Sequence, residues 1–300
     1  MTFNEYLATP LDYGYGSPDQ TPDEGGTPQD ERSLWRRIPM KAKIGGAIVL
    51  LYVLVALFAP VIATHDPIEI DPVMRLASPT AEHILGTDEL GRDIFSRVIY
   101  ATRVDLPLGF LGAFLPALLG VALGAMAGYF GGWVDSVVMR VSDIVQAFPA
   151  YILIIALVFA LGQGATSIIF AFTILGWVAY ARLVRSEVLR VRGLDYVHAA
   201  RVAGLSRFRI LRVHVFPNVI SQALVYLPSD IVFATLALAA FSFLGLGIPP
   251  PTPEWGAMIA EGQPFIRTNW WFATVPGLVI VGLGLGMSLV GETAEEALER

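Results

Sequence analysis

Few residues in this chain have the type and spacing to do covalent chemistry. Its 300 residues include no cysteine, which removes thiol nucleophiles, disulfide scaffolds and Cys-rich zinc or iron–sulfur centres. The four histidines, His65, His83, His198 and His214, are scattered and lack the short spacings of a metal-ligand set. His65 and His83 are the pair that an outside metal would use, and the expectation is that no metal site exists. No phosphate loop of the G-x-x-x-x-G-K-S or G-x-x-x-x-G-K-T kind occurs, so a nucleotide is not bound and split by that route. Gly282-Leu-Gly-Leu-Gly286 imitates half of a dinucleotide fingerprint. It lies in an apolar run with no strand before it and no acid about 20 residues on, so it predicts helix packing. No nucleophile stands beside a base, and the chain is expected to be neither an enzyme nor the holder of a cofactor.

Two charged features remain. Asp230 is the only charge in a long apolar run, two residues after Pro228. A carboxylate at mid-bilayer costs about 2.5–3.5 kcal/mol on insertion scales, so it must face a wet path or a partner. It reads either as a path-lining acid that meets a cationic amine, or as half of a structural pair, or as a group displaced toward an inner cavity. Asp88, Gly91, Arg92 and Asp93 form the second feature, which either touches another protein or caps the helix that follows.

The elements that position these residues follow from composition. Hydrophobic residues make up 55% of the chain and charged residues 15%, and mean hydropathy is +0.61. A soluble domain carries about 25% charge, so the solvent here is lipid. Net charge is −6, and residues 1–31 hold seven acids and no base, which leaves the rest at +1. This balance excludes a soluble nucleic-acid binder. The tail, with Pro, Gly, Thr and Tyr and no apolar run, is expected to be disordered over 1–34, either as a solvated leader or as a dock for a cytosolic partner. It has no signal-peptide pattern.

Spans of about 20 apolar residues are expected at Ile44–Ala63, at Leu106–Val134, as a hairpin through Ile144–Ala181 that turns at Gly162-Gln163-Gly164, at Val219–Leu244 and at Thr268–Gly291. Between the first two lies His65–Asp105, read as too charged for lipid. Gly120, Gly124 and Gly128 recur every four residues and predict close helix contact. Arg140 and Asp143 are spaced to pair on one helix face. Arg32, Arg36, Arg37, Lys41 and Lys43 before the first span, and eight arginines between Arg182 and Arg212, place both regions in the cytoplasm. Trp270 and Trp271 anchor the outer end of the last span. The result is an all-α membrane protein with six transmembrane helices and both termini inside. It divides as a tail over 1–34, a first span with an outer segment over 35–105, and a core over 106–300.

The arginine-rich loop predicts a short helix over Tyr196–Val202 with Asp195 as N-cap, a stop at Gly204, and a second helix from Arg207 with Phe208, Leu211 and Val215 on one apolar stripe. Pro217 marks entrance into the fifth span. Such a knob suits docking into another protein's groove, or binding of lipid headgroups.

His198-Ala-Ala200, three residues, Gly204, nine residues and His214-Val-Phe-Pro217 resemble the EAA motif of bacterial ABC importer permeases. His198 stands where the motif has Glu, and Phe216 where it has Leu. His83-Ile-Leu-Gly-Thr-Asp-Glu-Leu-Gly-Arg-Asp93 with Ser96-Arg97, Ala127 to Asp135, and Ser242 to Gly256 resemble the dipeptide/oligopeptide permease C subunits. The resemblance covers about residue 37 to the end. It implies a type I ABC importer permease fold with a cytoplasmic coupling helix, in the bacterial plasma membrane. By this resemblance His198, Ala199, Ala200, Arg201, Gly204, Arg207 and Pro217 would be the coupling residues. The motif says nothing of Asp230, whose path role rests on its place in the span, and Asp88, Arg92 and Asp93 would be contacts for a binding protein or a local cap. The implied partners are a homologous permease, two ATPase domains that hold ATP and Mg, and an external substrate-binding protein. Relatives of this layout import dipeptides, longer peptides, nickel or other solutes. The competing expectation is an ion-gradient-driven secondary transporter with Asp230 as its proton or substrate site.

Overall fold

The computed structural model describes residues 39–298; the tail expected over 1–34 lies outside them. Inside lipid a backbone can satisfy its own polar groups only within a helix or a closed barrel. The described residues take the helical solution, with one isolated bridge between Thr87 and Asp93.

Helix α1 spans Met40–Ile62 and α2 spans Ile94–Phe130. The 37 residues of α2 extend about 55 Å at 1.5 Å each, well beyond a hydrocarbon core of ~30 Å. The boundary expected at 105/106 therefore falls inside one continuous helix, so the helix that carries the second span begins at Ile94. The charges that argued against this helix have partners in the fold. Arg97 donates to Glu261 at 3.1 Å, and Asp105 accepts from the Trp255 backbone N–H at 3.1 Å. Asp93 caps the helix by accepting from the Ser96 N–H at 2.8 Å.

Helices α3 (Gly132–Gln146) and α4 (Ala150–Leu161) meet at 87°. The third span, expected as one arm of a hairpin, is thus broken into two helices. Pro149 has no N–H for a helix and biases Phe148 away from helical geometry, a break that the uncharged run had concealed. The turn at Gly162–Gly164 leads into α5 (Ala165–Val191), as the hairpin required. Among the described residues five helices are long and apolar enough to cross a membrane, and the bent pair makes a sixth when counted as one span.

The glycine ridge of α2 lies against α5. A Cβ at Gly120, Gly124 or Gly128 would collide with Trp177 and Tyr180, with Ala181, or with Val188, respectively. Cross-helix ion pairs replace the expected Arg140–Asp143 pair, because α5 runs beside α3 and presents its own arginines. Arg182 reaches Asp143 at 2.7 Å, and Arg185 grips both oxygens of Asp135.

The remaining elements are α6 (Asp195–Val202), α7 (Arg207–Ile210), a π-turn (Leu211–Val215), α8 (Phe216–Phe243), α9 (Trp255–Gly262) and α10 (Trp270–Leu298). The pseudo-fingerprint is packing, as expected: Gly286 of α10 faces Ile48 of α1, and a Cβ there would sit 2.7 Å from that side chain. Lys41 meets Glu292 at 3.3 Å, so the start of α1 and the end of α10 lie at one end of the bundle.

Candidate functional site

The arginine-rich segment folds as a helix, a glycine elbow and a second helix. Asp195 is not the N-cap; Leu194 holds that position, and Asp195 is the first residue of α6, where its charge faces the helix N-terminal dipole. At the other end the Leu205 N–H donates to the Ala200 carbonyl (3.2 Å) and the Gly204 N–H to the Arg201 carbonyl (3.1 Å). This pair of bonds is the Schellman closure, which requires a left-handed residue at Gly204, whose φ is +80°. A Cβ at Gly204 would meet nothing within 4 Å, so backbone conformation and not space calls for glycine.

Ser206 caps α7 by accepting from the Arg209 N–H. The chain then continues without a break through the π-turn and past Pro217, making Arg207–Phe243 one 37-residue helix. Proline is tolerated there because it sits in the first turn of α8 and the wider π-turn precedes it. The same widening alters the apolar stripe. Ile210, Leu211 and Val215 are buried, whereas Phe208, expected among them, is 67% exposed.

The two faces of the knob differ in character. Val197 and Ala200 turn inward into one apolar cluster with Val184, Val188, Ile210 and Val215 and with Ala125 and Tyr129 of α2. His198, Ala199, Arg201, Gly204 and Arg207 turn outward, beside Val202 at 90% exposure. His198, Arg201 and Arg207 converge with Arg192 on a cavity of about 430 Å³. Arg192, which sequence reasoning left unassigned, donates to the Gly128 carbonyl at 2.7 Å and ties the knob to α2.

Asp230 lines a second cavity, of about 540 Å³, between α2, α3, α4, α5 and α8. Gln146, Tyr151 and Tyr226 supply its other polar groups, and Phe172 and Phe233 apolar wall. The Tyr180 hydroxyl donates to Asp230 at 3.0 Å, so the acid has a partner within its own chain that spacing along the sequence did not disclose.

The outer residues Asp88, Arg92 and Asp93 are buried, at 0, 3 and 2% exposure. Arg92 donates to Asp88 at 2.6 Å and to Glu261 at 3.0 Å, and Arg97 shares that same Glu261 oxygen. Of the two roles open to this cluster, capping and internal locking have the geometry, and a direct contact has no exposed side chain among the three. Arg97 and Glu261 complete the lock; the sequence offered Arg97 only as part of the Ser96-Arg97 resemblance and did not single out Glu261. His65 and His83, dispersed in the chain, stack with ring centroids 4.5 Å apart.

The described residues thus form a bundle of long helices with an exposed helical knob and a cavity lined by Asp230. The model of the binding-protein-dependent transport system inner membrane component matches residues 120–300, and the N-terminal transmembrane domain of oligopeptide transport permease C matches residues 41–79. The chain belongs to this ABC importer permease family, and the ion-gradient alternative built on Asp230 is set aside. It is 35% identical over 295 residues to the dipeptide transport system permease protein DppC of Alkalihalophilus pseudofirmus, covering 95% of this chain and 97% of that one. It is 38% identical over 266 residues to the di/tripeptide transport system permease protein DppC of Pseudomonas aeruginosa (86% and 88% covered). It is 36% identical over 252 residues to the probable D,D-dipeptide transport system permease protein DdpC of Escherichia coli (84% and 85% covered). Among solved structures, an amino acid ABC transporter with histidines aligns at a TM-score of 0.50 and 17% identity, covering 69% of this chain and 94% of that one. The fold is that of a type I importer permease.

Proposed function

We propose that this chain is one half of a peptide-conducting path in a bacterial plasma membrane, with both termini in the cytoplasm. It pairs with a homologous permease, receives peptide from an extracytoplasmic binding protein, and is driven by two ATPase subunits that hold ATP and Mg. The names of its relatives support the peptide substrate, and the arginine-rich turn supports the orientation. The single observation that carries the mechanism is the unbroken helix Arg207–Phe243, which joins the exposed knob to the wall of the cavity at Asp230.

His198, Ala199, Ala200, Arg201, Gly204, Arg207 and Pro217 form the coupling element. When the ATPase subunits close, the groove that holds Val202 and Phe208 moves, and α6 moves with it. Val197 and Ala200 share one apolar cluster with Val188 of α5 and with Ile210 and Val219 of the helix that runs through α8, so the displacement passes into rigid elements and is not absorbed by a loop. The basic cavity beside His198 selects an acidic group on the ATPase, since three arginines at one site repel one another until an anion is present.

Asp230 acts in the path. A carboxylate accepts at both oxygens, and Tyr180 occupies one position, leaving acceptor capacity for the ammonium of a passing peptide. Purification of the chain from its host membrane is expected to retain subunits that hydrolyse ATP, and their loss on Val202→Asp checks the docking face. Retention of no ATPase by the unaltered chain would overturn the proposal. In the reconstituted transporter, Asp230→Asn is expected to slow cationic peptides at least several-fold more than neutral ones; equal wild-type rates for both remove Asp230 from the path.

A further inference from the structure

The fold assembles a cluster that transport does not use. α1 ends at Ile62, and the chain turns at Thr64-His65; the turn at Thr80–His83 returns to the same place. There one ligand atom from each of His65, Glu82 and His83 lies within 4.8 Å of the others. The two imidazoles stack at 28° between planes.

A hydrogen-bonded frame holds both rings. His83 Nδ1 is 2.9 Å from an oxygen of Asp93, whose side chain is 1% exposed, and His65 Nδ1 is 3.0 Å from the Thr64 hydroxyl. With each Nδ1 engaged, Nε2 is the remaining nitrogen on each ring. A buried carboxylate behind an imidazole is the arrangement that orients metal-binding histidines and raises their basicity. The same Asp93 caps α2 through the Ser96 N–H, and the Ser96 hydroxyl accepts from the backbone N–H groups of Thr64 (3.2 Å) and His65 (3.0 Å). One capping network therefore places both histidines. Thr80 adds a third restraint by accepting from the His83 N–H at 3.0 Å.

We propose that His65, Glu82 and His83 bind one divalent cation of the zinc class. Two imidazoles and a carboxylate are a nitrogen-rich set that suits Zn²⁺, with the fourth position open to water; calcium and magnesium require oxygen ligands. The charges of Glu82 and Asp93 offset those of the ion. Glu82 is exposed and His65 partly so, which leaves the site open to solvent, while His83 is buried against the fold. The bound ion clamps the end of α1, the Thr80–His83 turn and the start of α2 to one another. This clamp stands apart from the peptide-import proposal.

The test uses the full chain, carrying an affinity tag without histidine, stripped with EDTA and titrated with Zn²⁺ alone in detergent. Calorimetry and elemental analysis are expected to give one tight zinc per chain, with a raised melting temperature. His65→Ala combined with Glu82→Gln, both at the exposed side, is expected to weaken binding at least tenfold and abolish the thermal shift. His214→Ala, at the other end of the bundle, is expected to change neither. Absence of stoichiometric zinc binding by the unaltered chain, undiminished binding by the double variant, or equal loss with His214→Ala would each overturn the site. An unchanged melting temperature of the metal-free double variant shows that the loss is of ligands and not of fold.

Discussion

At one end of the bundle Asp88, Arg92, Arg97 and Glu261 withdraw their charges from water; at the other, Arg201, Arg207, Arg209 and Arg212 hold theirs in it. Both segments are polar and lie between spans, and the sequence left a contact role open for both, with local helix capping as the alternative for the first. Their burial separates them. A buried guanidinium needs acids around it, and Arg92 and Arg97 share one oxygen of Glu261 on α9, while the buried Arg97 Nε has no hydrogen-bond acceptor and only the Asp88 carboxylate 3.5 Å away. Such a cluster holds its own fold together and offers little to a visitor. The knob instead buries only the inner side of α6 and exposes apolar side chains beside its arginines, the composition of a surface that is completed by another protein. Charge count alone does not distinguish a lock from a dock; solvation does.

The largest effect is expected from breaking the lock. Arg97→Ala leaves Glu261 and Asp88 short of a cation in a buried site, and should lower stability by about 3–5 kcal/mol, read as a fall in the melting temperature of the purified chain. Arg207→Ala, at the exposed end, should stay within ~0.5 kcal/mol. A fall of equal size in both variants would break the contrast. Next in size is Gly204→Leu. Forcing a side chain into φ +80° adds strain of about 1–3 kcal/mol, and the displaced elbow should abolish substrate-stimulated uptake while the complex still assembles. Normal stimulated uptake by this variant would count against the coupling role. The smallest change in stability is expected from Val202→Asp, within ~0.5 kcal/mol because the side chain is 90% exposed. Its effect belongs to association, and ATPase subunits should be lost at unchanged melting temperature. Retained ATPase would move the docking face off α6.

Much of this was legible in the residues. The elbow at Gly204 follows from a short apolar period ended by glycine, and the ridge at Gly120, Gly124 and Gly128 follows from a four-residue repeat; both signals are local. The bend at Pro149 was local too, yet the uncharged run around it hid the break. Asp195, Phe208 and Arg140 were misplaced for another reason. Each was assigned by helical phase, and the phase depends on where a helix starts, on a π-turn, and on which neighbour presents a counter-charge. Tyr180 and Glu261 had no local signal to find, and the Ser96-Arg97 motif marked Arg97 without disclosing its partner.

Composition and hydropathy by themselves determined that the chain crosses a membrane several times, where most spans lie, and that a helix–glycine–helix knob interrupts them. These are properties of some twenty consecutive residues against a solvent, and need no partner to be evaluated. Only the tertiary structure decided which charges are hidden, with which acid Arg97 is paired 164 residues away, what Asp230 leans on, and that two distant histidines meet. Those outcomes depend on how helices cross and on which polar groups lose water together. No window along the chain contains that information.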